Sequence, residues 1–327
     1  MRAKWLGFVG GCALLGFLAC GDDGGDEGGG GGATSADGGS SSGASSGGPG
    51  GGGSDGGGGP DGRATGDGGP GDDGATGETC GVAAAATGFV GAQSIVVGGV
   101  TRTYQLFVPP GYDQKARWPV VLVFHGDGGS GAGVRGSFDL ETVSGGNAII
   151  AYPDGQGGTW QIDAYAALMK DVAFVDALVG ELQASYCGDG RSFLVGFSKG
   201  AYFANQAACR STAGLTGVAS HSGGGPYGTK ASEYDMNGKT VCPSPAVPAL
   251  QIHGTADGTV PLSEGVTSRD YWRGADACGA GTTARAPSPC VGYNGCARAE
   301  VWCQVSGLGH TVWSQAPTAI WDFFASL

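Results

Sequence analysis

Residues 192–200 read SFLVGFSKG, an apolar run that ends in Gly196-Phe197-Ser198-Lys199-Gly200. A serine with glycine two positions away on each side, just where a buried strand should stop, fits a strand-to-helix turn. Such a turn is so tight that side chains at the flanking positions would collide, and it leaves the hydroxyl exposed as a nucleophile. In a chain with 71 glycines the same spacing also arises in an ordinary turn, so the rest of the sequence must supply partners. A serine hydroxyl is a weak nucleophile near neutral pH; it needs a base to take its proton and a third group to orient that base. Attack on an acyl carbon further needs hydrogen-bond donors for the developing oxyanion, each worth about 3 kcal/mol.

The elements that must position these groups follow from the apolar pattern. The stretch 103–109 (TYQLFVP) alternates as an edge strand does. In contrast, 119–126, 148–153, 191–198, 215–222 and 248–254 are continuous apolar runs stopped by Gly, Ser or Pro, which suits strands buried on both faces. Leu168, Val172, Val175, Leu178, Val179 and Leu182 recur at helical spacing within 166–186. A further helix should follow Ser198, a last strand should cover 300–305, and a closing helix 318–327. Strand and helix in alternation imply a mostly parallel sheet with helices on both faces, an α/β class, in one domain spanning 80–327.

In open parallel sheets reactive groups gather beyond the carboxyl ends of the strands, which is where Ser198 falls. The four histidines are His125, His221, His253 and His310. If the order along the chain is serine, acid, histidine, as in α/β-hydrolases, His310 is the one that follows every plausible acid; it sits in a Gly-rich loop, GLGHTVW. The competing reading is a surface-loop histidine. Asp257, in TADGTVP beyond the strand PALQIHG, can aim a carboxylate at the site, or could merely cap its turn. Asp235, Asp270 and Asp276 lack that placement and read as solvated carboxylates. The loop FHGDGGSG (124–131) can bring backbone N–H groups close to a ligand, so the amides of Asp127 and Lys199 are the candidate oxyanion donors and His125 an anchor for the loop.

The segments YQLFVPPGYD, FHGDGGS, YPDGQGGTW, DVAFVDALV, GFSKG, HGTADGTVP and GLGHTVW, in this order and spacing from about residue 100 to the C-terminus, resemble the secreted esterases that join feruloyl esterases and polyhydroxybutyrate depolymerases. The resemblance implies an α/β-hydrolase fold and ester hydrolysis through an acyl-enzyme, with no metal and no organic cofactor. It puts the nucleophile on Ser198, the acid on Asp257, the base on His310 and the oxyanion donors on the amides of Asp127 and Lys199. Trp160 resembles a family tryptophan near the cleft, and Trp313 adjoins His310; either could stack on an aromatic acid or a sugar face, or be ordinary core. The expected substrates are feruloyl or acetyl esters of plant polysaccharide such as xylan, with polyhydroxybutyrate as the alternative; the Cys-rich stretch 278–303 would wall a bulky acyl group. A non-catalytic binding module and a serine peptidase are the rival readings. Two motifs depart from the family pattern, the loop at Asp127 and the elbow, where Lys199 and Ala201 stand in place of a small or apolar residue and the second of two glycines. Asp127 puts a carboxylate where a small residue is usual, and Lys199 puts a cation at a helix N-terminus, against the dipole, where pairing with Asp127 would offset it.

The remaining features concern export. Met1–Ala19 carries Arg2 and Lys4 and then an apolar stretch too short to span a bilayer comfortably, so 1–19 reads as a signal peptide. Its end, GFLAC, resembles a bacterial lipoprotein signal with Cys20 as the lipidated residue, and Gly21 after it resembles signals that are not retained at the inner membrane. Residues 21–79 are nearly half glycine with scarcely a large apolar residue, so 20–79 should be a disordered tether. Its root-mean-square reach as a Gly/Ser coil is roughly 40–45 Å. Most of the formal charge of −12 sits in this segment: residues 1–79 hold 11 acidic and 3 basic side chains, which leaves 18 and 14, or −4, for 80–327. Such a domain has no basic footprint for nucleic acid. Cys80, Cys187, Cys209, Cys242, Cys278, Cys290, Cys296 and Cys303 form an even set in an exported chain and suggest up to four disulfides. Cys187 and Cys209 bracket the nucleophile strand and its helix closely enough to pair, and Cys278, Cys290, Cys296 and Cys303 form a second group. Zinc is disfavoured because no CxxC pair or His/Cys cluster is present. The chain thus reads as an extracellular or cell-surface monomer, an outer-membrane lipoprotein whose partner is an ester-bearing polymer or oligomer.

Overall fold

The computed structural model describes residues 86–112 and 117–327. The expected signal segment, Cys20, the tether and Cys80 lie outside the described residues. Among the described residues ten strands form one sheet: β1 (Gly88–Val97), β2 (Val100–Val108), β3 (Trp118–Phe124), β4 (Ile149–Pro153), β5 (Gly188–Phe197), β6 (Gly217–His221), β7 (Ala249–Gly254), β8 (Thr282–Ala284), β9 (Cys290–Tyr293) and β10 (Glu300–Val305). Their order is β1-β2-β4-β3-β5-β6-β7-β10-β9-β8. The six central strands β4, β3, β5, β6, β7 and β10 are mutually parallel, and antiparallel pairs close both edges. The central runs are continuous because both faces are covered. Residues 119–124 of β3 and every residue of β4 and β6 are buried.

Among the described residues six helices cover the sheet: α1 (Gly131–Phe138), α2 (Leu140–Val143), α3 (Tyr165–Ser185), α4 (Lys199–Arg210), α5 (Leu262–Ala275) and α6 (Ala316–Ala325). On one face Leu168, Val172, Val175 and Leu178 of α3 and Phe203, Ala204 and Ala207 of α4 pack with Val120, Leu122 and Leu194 of the sheet. On the other, Val134 and Phe138 of α1 and Ile320, Phe323 and Phe324 of α6 pack with Val121, Val123 and Val195. The alternate residues of β3 thus divide between two cores, as strand geometry requires. No helix among the described residues is long and apolar enough to cross a membrane.

The structure corrects two sequence expectations here. The 103–109 strand is not an edge, because β1 pairs along the whole of β2. The alternation arises because Arg102 and Tyr104 are buried while Thr101, Thr103 and Gln105 between them are more exposed; Leu106, Phe107 and Val108 are buried on both faces. Cys209 pairs with Cys242 rather than Cys187. The Cys209 carbonyl accepts the Ser244 amide at 3.1 Å, which draws the 242–244 segment under the last turn of α4. Cys187 is itself disulfide-bonded. The second group pairs within itself, Cys278 with Cys296 and Cys290 with Cys303, the latter tying β9 to β10.

A buried acid at the start of β10 makes stability pH-dependent. Burial, then the hydrogen bond and charge of neighbouring Asp276, pushes the Glu300 carboxyl from its ordinary 4.5 up to about 11. Folded protein therefore keeps this proton across a range where unfolded chain has lost it. The stability it contributes is full below about pH 4.5 and drains as the pH rises toward 11. Glu300→Gln keeps the shape and removes the titration. The variant is expected to melt above the wild type at pH 9, with the difference closing by pH 5, as read by thermal unfolding at both values. A gap of equal size at the two pH values would assign the effect to something other than this proton.

Candidate active site

The turn at the end of β5 is built as the glycine spacing requires. Ser198 is the N-cap of α4 with φ 55° and ψ −125°, a conformation costly for any residue with a Cβ, of order 1–3 kcal/mol. A Cβ on Gly196 would lie 2.1 Å from the Gly200 carbonyl oxygen, and one on Gly200 would lie 2.4 Å from the carbonyl oxygens of both Phe124 and His125. Helix α4 can therefore start against β3 only if both positions are glycine. The Ser198 amide donates to the His221 carbonyl on β6 at 3.0 Å, which fixes the turn from the other side.

Two loops bring the remaining candidates to Ser198. Asp257 follows β7 and His310 follows β10, strands that are parallel neighbours. The loops are laced together. The Thr255 amide donates to Val305 O at 2.9 Å, the Ala256 amide to Leu308 O at 3.0 Å, and the Gly307 amide to Thr255 Oγ1 at 2.9 Å. His310 Nδ1 lies 2.8 Å from Asp257 Oδ2, and His310 Nε2 lies 2.9 Å from Ser198 Oγ. The other Asp257 oxygen accepts the amides of Thr259 at 3.0 Å and Val260 at 2.9 Å. Burial raises the Asp257 carboxyl, but the hydrogen bonds from His310, Val260 and Thr259 outweigh it and hold the group below the usual carboxylate value. An ionised Asp257 assigns the Nδ1 proton to the face it meets, which leaves Nε2 free to accept from the serine hydroxyl.

The 126–129 loop lies beside Ser198, since a Cβ on Gly126 would be 3.3 Å from Ser198 Cβ. Its shape is held by Gly128 N–H to Gly158 O at 2.9 Å and Gly129 N–H to Gly126 O at 3.1 Å. His125 donates through Nδ1 to Gly126 O at 2.7 Å and accepts the Gly155 amide on Nε2 at 2.9 Å, the anchoring geometry expected of it. Among the described residues, neither the Asp127 amide nor the Lys199 amide donates a backbone hydrogen bond, so both remain available to a ligand. Lys199 Nζ meets Asp127 Oδ1 at 3.1 Å. A cleft of about 480 Å³ opens beside His310, lined among others by Val134, Ser137, Phe197 and Val312.

Neither tryptophan reaches that cleft. Trp160 is fully buried, stacked on Phe203 at 4.6 Å and set edge-on to Phe124 at 5.1 Å, and its indole donates to His125 O at 3.1 Å. It is a core pillar under the 125–129 loop, not a substrate platform. Trp313 is also buried, and its amide donates to His221 Nε2 at 2.9 Å. The Cys-rich stretch 278–303 forms the β8–β9 edge and contributes no residue to the cleft. The residue that sequence reasoning missed is His221. Burial, reinforced by His253, drives its pKa down to about 3, so it stays neutral and accepts the backbone just beyond His310. Its one signal was position, the last residue of a strand ending beside the elbow.

Comparison with known proteins agrees with this architecture. Residues 160–284 match the family model described as Phospholipase/Carboxylesterase. A probable feruloyl esterase C from Aspergillus clavatus is 28% identical over 241 residues, covering 68% of this chain and 83% of that protein. The feruloyl esterase C of Emericella nidulans is 27% identical over 241 residues, with the same coverage. The chain is similar to the feruloyl esterase-like α/β-hydrolases. This esterase shares its fold with an acetyl xylan esterase from Aspergillus awamori, at TM-score 0.56 and 17% identity over 72% of this chain and 99% of that one. A thermostable esterase superposes at TM-score 0.51 and 18% identity, covering 72% of this chain and 62% of its own. The protein is a carboxylic ester hydrolase.

Proposed function

We propose that this esterase is an exported serine hydrolase that releases feruloyl or acetyl groups from plant cell-wall polysaccharide through an acyl-enzyme. The observation that carries the reading is the continuous hydrogen-bonded series Asp257–His310–Ser198 at the rim of an open cleft. In it His310 takes the Ser198 proton as Oγ attacks the ester carbonyl, and the imidazolium that forms is held by the Asp257 carboxylate. The amides of Asp127 and Lys199 receive the oxyanion; His310 then protonates the departing alcohol, and water repeats the sequence to free the acid. Export is supported by the three disulfides among the described cysteines, and attachment to a membrane through Cys20 rests on the signal pattern. The substrate class is supported by the names of the curated relatives and by a cleft whose volume suits a small aromatic acid.

A side-by-side assay separates the polymer classes. Methyl ferulate or feruloylated xylo-oligosaccharide is expected to be cleaved with a higher kcat/KM than hydroxybutyrate oligomers, with product acids quantified by chromatography. Clearing of a polyester film with negligible ferulate release would reassign the enzyme to polyester hydrolysis.

A further inference from the structure

The two amides assigned to the oxyanion belong to residues of opposite charge whose side chains touch. Any residue can offer a backbone N–H, so nothing in donor chemistry calls for an acid or a cation at either position. An aspartate is in fact a poor choice, because its carboxylate lies a few bonds from the donor nitrogen and opposes an anion bound there. Asp127 nevertheless stays ionised: a Thr159 hydroxyl hydrogen bond, more than offsetting partial burial, and then Lys199 hold its carboxyl below the ordinary value. Thr159 Oγ1 and Lys199 Nζ converge on the same oxygen, Oδ1. The pair is partly open to water, with side-chain exposures of 30% for Lys199 and 60% for Asp127, so as a surface ion pair it contributes little to stability. Its position beside the nucleophile is what sets it apart.

We propose that the Lys199 ammonium is the counter-ion that removes the Asp127 charge from the oxyanion site, so that the loop carrying Asp127 can serve as a donor. This rests on the reading of Ser198 as nucleophile and of the two amides as oxyanion donors. Lys199 acts through Asp127 and is a positioning residue of the electrostatic kind. The charge matters only once an oxyanion forms, so the effect belongs to kcat and leaves KM nearly untouched.

The test is a double-mutant cycle on the full chain with p-nitrophenyl acetate. Lys199→Met, which keeps the stem and drops the charge, is expected to lower kcat about tenfold, the size of one charge a few ångström from a partly solvated site, with KM within about twofold. Lys199→Arg recovers most of that loss. In the Asp127→Asn background, where there is no charge to neutralise, adding Lys199→Met costs less than about twofold. Raising the ionic strength to about 1 M, where the screening length is about 3 Å, speeds Lys199→Met relative to the wild type. The proposal is overturned if Lys199→Met keeps the wild-type kcat, or if it costs as much in the Asp127→Asn background as in the otherwise wild-type chain, which would make Lys199 act on its own. Full activity in Ser198→Ala would also remove it, but by refuting the nucleophile rather than the ion pair.

Discussion

Ser198→Ala is expected to lower kcat on a small p-nitrophenyl ester by about three orders of magnitude or more. The substitution removes one oxygen from a turn whose backbone is set by Gly196, Gly200 and the His221 carbonyl, so the fold is unaffected. His310 and Asp257 stay paired at 2.8 Å but have no hydroxyl to activate. What remains is the rate at which bound ester meets water beside the amides proposed as oxyanion donors. Steady-state rates on purified protein, with a melting curve to show that the variant is folded, decide the matter; wild-type turnover in a folded Ser198→Ala would remove the acyl-enzyme mechanism altogether.

Gly200→Ala is the largest expected loss of stability. The added methyl would sit 2.4 Å from two main-chain oxygens at the end of β3, well inside contact distance, and neither oxygen can swing aside because both belong to the sheet-to-loop junction. Helix α4 has to lift off the sheet, which loosens Phe203 against Phe124 and Trp160. The expected cost is about 3 kcal/mol or more in urea unfolding, with kcat falling as well because Ser198 and the 125–129 loop separate. Gly258→Ala is the matched control, since a Cβ there meets nothing within 4 Å. If both variants unfold within about 0.5 kcal/mol of each other, the close approach described for α4 is wrong.

The parts of this fold that could be read from the sequence are those where one physical demand acts alone. Strands β3, β4, β6 and β7 and residues 192–196 of β5 are buried on both faces and announce themselves as unbroken apolar runs. The elbow is legible because steric exclusion leaves glycine as the sole solution at 196 and 200. Strand β1, GFVGAQSIVV, is half exposed throughout and carries two glycines at positive φ, so it shows neither a buried run nor a clean strand pattern. Helix α1, GAGVRGSF, hides behind three glycines, and α5 buries only Gly265, Ser268 and Trp272, too thin a stripe to detect. Asp257 and His310 could be picked out because each follows a strand end, but Trp160 was misplaced for the same reason. A large aromatic next to a site-forming loop fits a platform above the ligand or a pillar beneath the loop, and only tertiary packing separates the two.

Helix α1 carries its glycines unequally. A Cβ at Gly131 would strike the Tyr152 carbonyl at 2.0 Å, whereas at Gly136 it meets nothing within 4 Å and at Gly133 only the Ser130 hydroxyl at 3.5 Å. Gly133 lines the cleft together with Val134 and Ser137, on a helix that supplies none of the proposed triad. Replacing a helical glycine with alanine also firms the helix by roughly 0.5–1 kcal/mol. Evolution therefore has a free direction in this enzyme. Single substitutions at Gly133 can resize the cleft beside His310 without touching Ser198 or Asp257.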